Sequence, residues 1–306
     1  MNKKVCVLMS TYNGKKYVED QILSILAQKL NYELYIKIRD DGSSDSTCKI
    51  IKKIQKQYPD KIELFKEDHI GFNASFFKLL QIAKGFDYYA FSDQDDYWFP
   101  DKLQTAIEAL EKENNDLPLM YASTSYLADE NLKPYGLTRK QVRPITIFNS
   151  VIQDICPGHN EVFNNRFFEL AKGQNIDTAK IYTYDSWLQI TAVLLGKLIF
   201  DNTPHCYYRQ HGKNAFGYGK HAIGQLFKSL RRAVCGEGKK YRNEVEYFVE
   251  VNKTELEKQN VLQELTSFIN AKTIYAKLKY LIRSKLYRQS KLETIAFYTA
   301  VLLGKF

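Results

Sequence analysis

The first 130 residues alternate between short apolar runs and stretches whose apolar residues recur every three or four positions. Val5 to Met9 is apolar throughout, and Ser10-Thr-Tyr-Asn-Gly14 after it has the composition of a turn. Tyr17 to Gln28 places Val18, Ile22, Ile25 and Leu26 on one face, which predicts a helix. Leu34 to Ile38 predicts a second strand, ending in Asp40-Asp-Gly-Ser-Ser-Asp45. A helix follows over Thr47 to Gln57, with Ser44 or Asp45 as its N-cap. Ile62 to Phe65 predicts a strand, Asn73 to Lys84 a helix and Tyr88 to Phe91 a fourth strand, closed by Asp93-Gln-Asp-Asp96. Pro100 then opens a helix that runs to about Lys112. Strands alternating with helices of this length imply a parallel sheet with helices on both faces. Such sheets bind ligands beyond the carboxyl ends of their strands. All three polar clusters lie at such ends, which argues for one site.

From Leu119 to about Gly219 the pattern is mixed. It predicts a strand over Met120 to Leu127, a loop containing Pro134 and Pro144, a helix over Asp185 to Leu195, and a strand over Leu198 to Tyr208. Beyond Gly219 the chain reads as helical and basic. The expected division is a catalytic domain over 1–219, with a donor-binding half (1–100) and an acceptor-binding half (101–219), then a helical extension over 220–306. Charge supports the break: residues 221 to 306 hold 16 Lys/Arg against 8 Asp/Glu, while the first 220 hold 28 against 27. A basic tail on a neutral body points to an anionic surface. Five scattered cysteines form no metal-ligand spacing and read as reduced thiols. No stretch reaches the roughly 20 apolar residues of a membrane span, and the N-terminus has no signal-peptide core, so a cytoplasmic protein is expected.

Each polar cluster has both a plain and a chemical reading. Asp40 to Asp45 is rich in turn-formers and caps, yet a carboxylate at a strand end also accepts the N–H of a pyrimidine base. Asp93-Gln-Asp95 can be a solvated turn. Alternate residues leaving a strand can equally aim two carboxylates at one hard cation, Mg²⁺ or Mn²⁺, which bridges the phosphates of a nucleotide diphosphate. His211 can be a hydrogen-bonded structural histidine or a ligand. Trp98 and Trp187 can be core or can line a sugar groove.

The clusters gain meaning together. Val5-Cys-Val-Leu-Met-Ser-Thr-Tyr-Asn-Gly14, Asp40-Asp-Gly-Ser-Ser-Asp45, Phe91-Ser-Asp-Gln-Asp-Asp-Tyr-Trp-Phe-Pro-Asp-Lys-Leu103, Tyr184-Asp-Ser-Trp187 and Tyr208-Arg-Gln-His-Gly-Lys-Asn214 occur in order. Over about residues 3 to 218 the chain resembles glycosyltransferase family 2, in its rhamnosyltransferase-like branch, which builds bacterial capsules, O-antigens and cell-wall polysaccharides. The resemblance implies a GT-A fold: α/β, a Rossmann-like mixed sheet flanked by helices, here with a helical C-terminal extension. It implies that Thr11, Tyr12, Asn13, Asp41, Asp93 and Arg209 hold the donor and that Asp95 and His211 ligate Mn²⁺ or Mg²⁺. It further implies Asp185 as catalytic base and Trp98, Gly158, His159 and Trp187 as acceptor contacts. Two departures stand out: the branch often has His-Asp at Tyr184-Asp185, and a Thr-Gly-like turn at Cys156-Pro157.

The implied reaction is an inverting transfer. Metal and basic groups stabilise the departing diphosphate while a carboxylate deprotonates the incoming hydroxyl. The expected donor is dTDP-rhamnose or a UDP-hexose, and the expected acceptor is lipid-linked or saccharide. The processive synthases' Q-x-x-R-W motif is absent, which favours one sugar per encounter. A nucleotide-dependent dehydrogenase would need Gly-x-Gly-x-x-Gly after the first strand, and Ser10-Thr-Tyr-Asn-Gly14 does not supply it. An inactive nucleotide-sugar-binding relative is the other alternative. No nucleic-acid recognition motif accompanies the basic tail. Its apolar positions, Ile274, Leu278, Leu281, Ile282 and Leu286, lie among lysines and arginines. They would dock on the inner membrane surface, or pack on the catalytic domain or a second copy of the chain.

Overall fold

A computed structural model describes residues 3–212 and 237–306. The chain divides into two compact units. The first comprises Met1–Arg139, Cys156–Ile176 and Gly196–Tyr218. In chain order the elements up to residue 212 are β1 (Lys4–Thr11), α1 (Val18–Leu26), β2 (Glu33–Asp41), α2 (Thr47–Gln57), β3 (Ile62–Glu67), α3 (Phe72–Ile82), β4 (Tyr88–Ser92), β5 (Tyr97–Trp98), α4 (Lys102–Glu111), β6 (Leu119–Ser123), β7 (Tyr126–Ala128), β8 (Pro134–Leu137), α5 (Ile147–Ser150), β9 (Val162–Asn164), α6 (Asn165–Gly173), α7 (Tyr184–Leu195), β10 (Lys197–Asp201) and β11 (Cys206–Arg209). Of these, α5 and α7 belong to the second unit.

Seven strands of the first unit form a sheet in the order β10-β6-β9-β4-β1-β2-β3. Every pairing is parallel except those of β9, which runs antiparallel between β4 and β6. The sheet is therefore mixed. Val5 to Met9 are buried without alternation, as a strand covered on both faces requires. The helices bury the stripes their periodicity marks: Val18, Ile22 and Ile25 on α1, Ile51 and Ile54 on α2. Ser46 precedes α2, and the Asp45 carboxylate accepts the Thr47 N–H at 2.9 Å.

Two expected strands each divide. Met120 to Leu127 breaks at Thr124-Ser125, so β6 stays in the main sheet and β7 enters a second one, ordered β5-β11-β7-β8. Leu198 to Tyr208 breaks at Asn202-Thr-Pro204, where the Thr203 N–H turns back on Asp201 Oδ1 at 2.7 Å. The expected loop at Pro134 contributes an edge strand, the place where a residue without an N–H is tolerated.

The second unit comprises Lys140–Ile155, Asp177–Leu195 and Gly219–Phe306. Beyond α7 its described helices are α8 (Glu237–Val251), α9 (Lys253–Lys258), α10 (Leu262–Asn270), α11 (Ile274–Leu281) and α12 (Lys291–Leu302). Helix α7 is buried nearly all round, from Tyr184 to Leu194. Trp187 packs between Tyr247 and Phe248 of α8, with ring centroids 5.3 and 5.1 Å away. The Gln259 amide donates to the Leu194 carbonyl at 2.5 Å. The packing also divides the chain near residue 219, and it adds 140–155 and 177–195 to the C-terminal helices. The amphipathic run expected from Lys272 to Gln289 also ends early, at Leu281. Leu286 turns inward, and Gln289 Oε1 accepts the N–H groups of Val142 and Arg143 at 2.9 and 2.7 Å. Among the described residues no helix is long and apolar enough to cross a membrane.

Candidate functional site

Strands β1, β2 and β4 end side by side, and their loops are tied together by side chains. The Gln94 amide bonds both ends of the Tyr12 peptide, accepting its N–H at 2.9 Å and donating to its carbonyl at 3.0 Å. Gly14 leaves room for that amide, because a Cβ there would fall 2.0 Å from Gln94 Oε1. Asn13, at φ 48°, accepts from the Ser44 N–H at 3.0 Å and donates its own N–H to Ser43 Oγ at 2.8 Å. Thr11 is buried and donates to Asp40 Oδ1 at 2.9 Å. These residues shape the loops rather than present free side chains.

Asp41 is turned inward as well. Its oxygens accept from Arg39 at 2.5 Å, from the Ile70 N–H at 2.8 Å and from the Gly71 N–H at 3.0 Å. Burial pushes its carboxyl up, but those two amides and the guanidinium outweigh burial and hold it below the usual carboxylate range. Asp41, expected to contact the base, thereby orders the loop between β3 and α3. That loop carries His69, whose Nδ1 lies 2.8 Å from Asp41 Oδ2 and whose ring stacks on Tyr12 at 4.6 Å. Tyr12 is half exposed, so Tyr12 and His69 offer a ring surface at the end of β1.

Beyond β4, Asp95 Oδ2 and His211 Nε2 lie 2.7 Å apart, both near the surface. The pair expected from sequence is thus brought together. His211 stacks on Tyr17 at 4.9 Å. Arg209 holds the arrangement: its N–H bonds Asp96 at 3.2 Å, and its guanidinium bonds the Asp95 carbonyl at 2.9 Å, the Glu130 carbonyl at 2.8 Å and Asp20 at 3.2 Å. The same guanidinium lies 4.4 Å from the centroid of Tyr17. At 3% exposure Arg209, expected as a donor contact, props the Asp95 turn.

A buried polar layer lies beneath. His159 Nδ1 is 3.0 Å from Asp96 and 3.4 Å from Asp93, and its Nε2 meets Ser125 Oγ at 3.1 Å. Asp93, Asp96 and His159 bring ligand atoms within 4.8 Å of one another. Burial lowers the His159 pKa, yet Asp96, the Cys206 sulfur and Asp93 together raise it well above its ordinary value. The two carboxylates draw the ring into an internal ion-pair network, and the same three ligand atoms lie close enough together to share one cation. Buried Lys102 donates to Asn160 at 3.0 Å in the same layer. Cys206 lies there too, and although burial raises its thiol, Lys102 and His159 hold it below its ordinary value.

The residues expected to contact the acceptor lie inside the protein. Gly158, His159, Trp98 and Trp187 are all buried, Trp98 in the core of the first unit and Trp187 in that of the second. None shows an acceptor a free face. His69, Gln94 and Asp96 were missed, although Asp96 extends the acidic run and Gln94 stands within it.

Asp185 is described with the second unit. It is the second residue of α7, partly exposed, with Oδ1 3.0 Å from the Ser186 N–H. Thr183, just before the helix, accepts the same N–H at 3.3 Å and takes the Ser186 hydroxyl on its carbonyl at 3.0 Å. A cap is thus available without Asp185. Lys213 and Asn214 of the last motif lie outside the described residues.

A model of glycosyl transferase family 2 matches residues 6–163, more than half of the chain, and the chain belongs to that family. It is 38% identical over 106 residues to the dTDP-rhamnosyl transferase RfbG of Shigella flexneri, covering 33% of this chain and 36% of that one. It is 25% identical over 213 residues to the chondroitin synthase of Escherichia coli, covering 69% and 29%. The matched segments span about a third of the length of these relatives. Among solved structures it is similar to S. aureus TarS 1-349 in complex with UDP-GlcNAc (TM-score 0.59, 16% identity, 99% of this chain and 89% of that one). It is also similar to the mannosyltransferase PcManGT of Pyrobaculum calidifontis in complex with GDP-Man and Mn2+ (0.57, 16%, 100% and 86%). The fold is GT-A.

Proposed function

We propose that this chain transfers one sugar, with inversion, from a nucleotide-diphosphate donor to a hydroxyl of a lipid-linked or saccharide acceptor of a bacterial surface polysaccharide. The observation that carries this reading is the Asp95–His211 pair, held by Arg209 at the strand ends beside the Tyr12–His69 rings. The nucleotide seats on those rings, with Thr11, Asn13 and Asp41 shaping the wall behind them. A carboxylate and an imidazole at the surface suit a divalent cation shared with phosphate oxygens. Asp95 and His211 would hold Mn²⁺ or Mg²⁺, which when bound neutralises charge on the diphosphate. Asp93, whose carboxyl is raised chiefly by burial, borders the pair and serves the donor sugar or ribose. Asp185 takes the proton of the acceptor hydroxyl. The likeness to RfbG favours dTDP-rhamnose, and that to TarS keeps UDP-N-acetylhexosamine in view. Thermal unfolding against a panel of nucleotide sugars, with and without Mn²⁺, tests this. The true donor is expected to raise the midpoint, and more so with Mn²⁺. No shift with any nucleotide sugar would sink the reading.

The same proposal places the protein on the inner face of the cell membrane. Helix α11 leaves Ile274, Tyr275, Leu278 and Ile282 exposed, Tyr275 by 74% and Ile282 by 83%, while Leu292, Ile295 and Leu303 are exposed on and just after α12. Lys272, Lys279, Arg283, Lys285 and Lys291 stand exposed among them. Apolar residues flanked by cations match an anionic leaflet, where each basic residue contributes on the order of 1 kcal/mol. The full chain is expected to float with vesicles containing phosphatidylglycerol and not with pure phosphatidylcholine, and Ile282→Asp should weaken flotation. Equal partitioning onto both would rule out the electrostatic docking.

A further inference from the structure

Glu244 stands in the middle of α8 with no exposed surface, an expensive place for a carboxylate. Its Oε1 accepts the Ser186 hydroxyl at 2.7 Å and the Tyr182 N–H at 3.2 Å. Its Oε2 has no hydrogen-bond partner among the described residues. Both partners belong to the turn that launches α7, and Ser186 directly follows Asp185. Trp187 completes the attachment by packing on Tyr247 and Phe248 of the same helix α8. We propose that Glu244 is a positioning residue: from the C-terminal region it pins the 182–186 turn and so aims the Asp185 carboxylate. This rests on Asp185 being the base.

The titratable groups around it are Asp154 from the segment after α5, Asp185 and Tyr182 at the head of α7, and Tyr241 one turn earlier on α8, with Arg288 near Tyr241. Burial is the main force on Glu244. Asp154 and Asp185 add to it, and against the pull of Ser186 and the Tyr182 amide they leave the carboxyl pushed up to about 8. Below that pH the group is a neutral acid whose carbonyl oxygen can accept both hydrogen bonds. Ionised, it keeps and strengthens both hydrogen bonds but sets a further negative charge against Asp154 and Asp185, which pushes the Asp185 carboxylate off its aim.

Glutamine is the isostere of the neutral acid, so Glu244→Gln separates charge from shape. Hydrolysis and transfer are read in the full chain with dTDP-rhamnose, or with UDP-N-acetylglucosamine if that is the sugar turned over. Wild type should lose kcat above about pH 8. Glu244→Gln should stay within about threefold of wild type at neutral pH and keep its rate through the alkaline range. Glu244→Leu should lose kcat at least about tenfold with donor KM nearly unchanged. A readout independent of activity follows from linkage. The folded-state pKa lies above the unfolded value of 4.5, so wild type loses stability relative to Glu244→Gln as pH rises from there through about 8. Identical pH–rate profiles for wild type and Glu244→Gln would overturn the inference, even if Glu244→Leu fails to fold. Asp185→Asn assayed in parallel separates the two readings. If it is active, the assignment of the base fails; if it is dead and Glu244→Leu is fully active, only the role of Glu244 fails.

Discussion

Asp185→Asn is expected to lower transfer at least about 100-fold while donor and metal binding stay at wild-type strength. An acceptor alcohol has a pKa far above neutrality and must lose its proton as it attacks, and asparagine cannot take it. The competing role is a helix cap. Asp185 does approach the Ser186 N–H, but Thr183 also reaches it, and asparagine caps about as well as aspartate. A cap role therefore predicts almost no effect on either stability or rate. Transfer within a few-fold of wild type, measured with the donor that stabilises the protein, would leave Asp185 a cap and send the search for the base elsewhere.

Asp95→Asn is the second large effect expected. It keeps the shape of the turn, since Arg209 grips the Asp95 carbonyl and not its side chain. It removes one charged ligand beside His211. Losing a direct ligand should cost at least the 10- to 100-fold in metal affinity, about 100-fold here, that supporting groups around metal sites typically contribute. Isothermal titration with Mn²⁺ in the presence of nucleoside diphosphate reads this directly, and transfer should fall with it. Unchanged Mn²⁺ binding, or full activity in excess chelator, would remove the metal from Asp95.

The elements of the donor half were legible because burial there follows local patterns. Val5 to Met9, the Ile51–Ile54 stripe and the polar clusters at strand ends each declare themselves within a dozen residues. The divided strands were harder. Asn202-Thr-Pro204 carries the punctuation of a turn, but the apolar residues on either side read as continuous. The inward turn of Asp41 and the burial of His159 were not legible, since they depend on Arg39, Ile70 and Asp96 meeting them in space. Nor was the grouping of α7 with the C-terminal helices, because the Trp187 and Glu244 contacts join residues about 60 apart in sequence. The Asp95–His211 contact joins residues more distant still, and the order of the motifs named both residues.

The three-part composition of the second unit governs how it can be made. Helix α7 is almost wholly apolar surface to be covered, and its cover includes α8 and Gln259. At the roughly 5–20 residues per second of synthesis, several seconds separate the emergence of α7 from that of its partners. During that interval the nascent chain must carry an exposed Trp187 helix while the two sheets of the first unit, completed by β10 and β11 respectively, are closing. An apolar face exposed for that interval is open to aggregation, or to a chaperone at the ribosome exit.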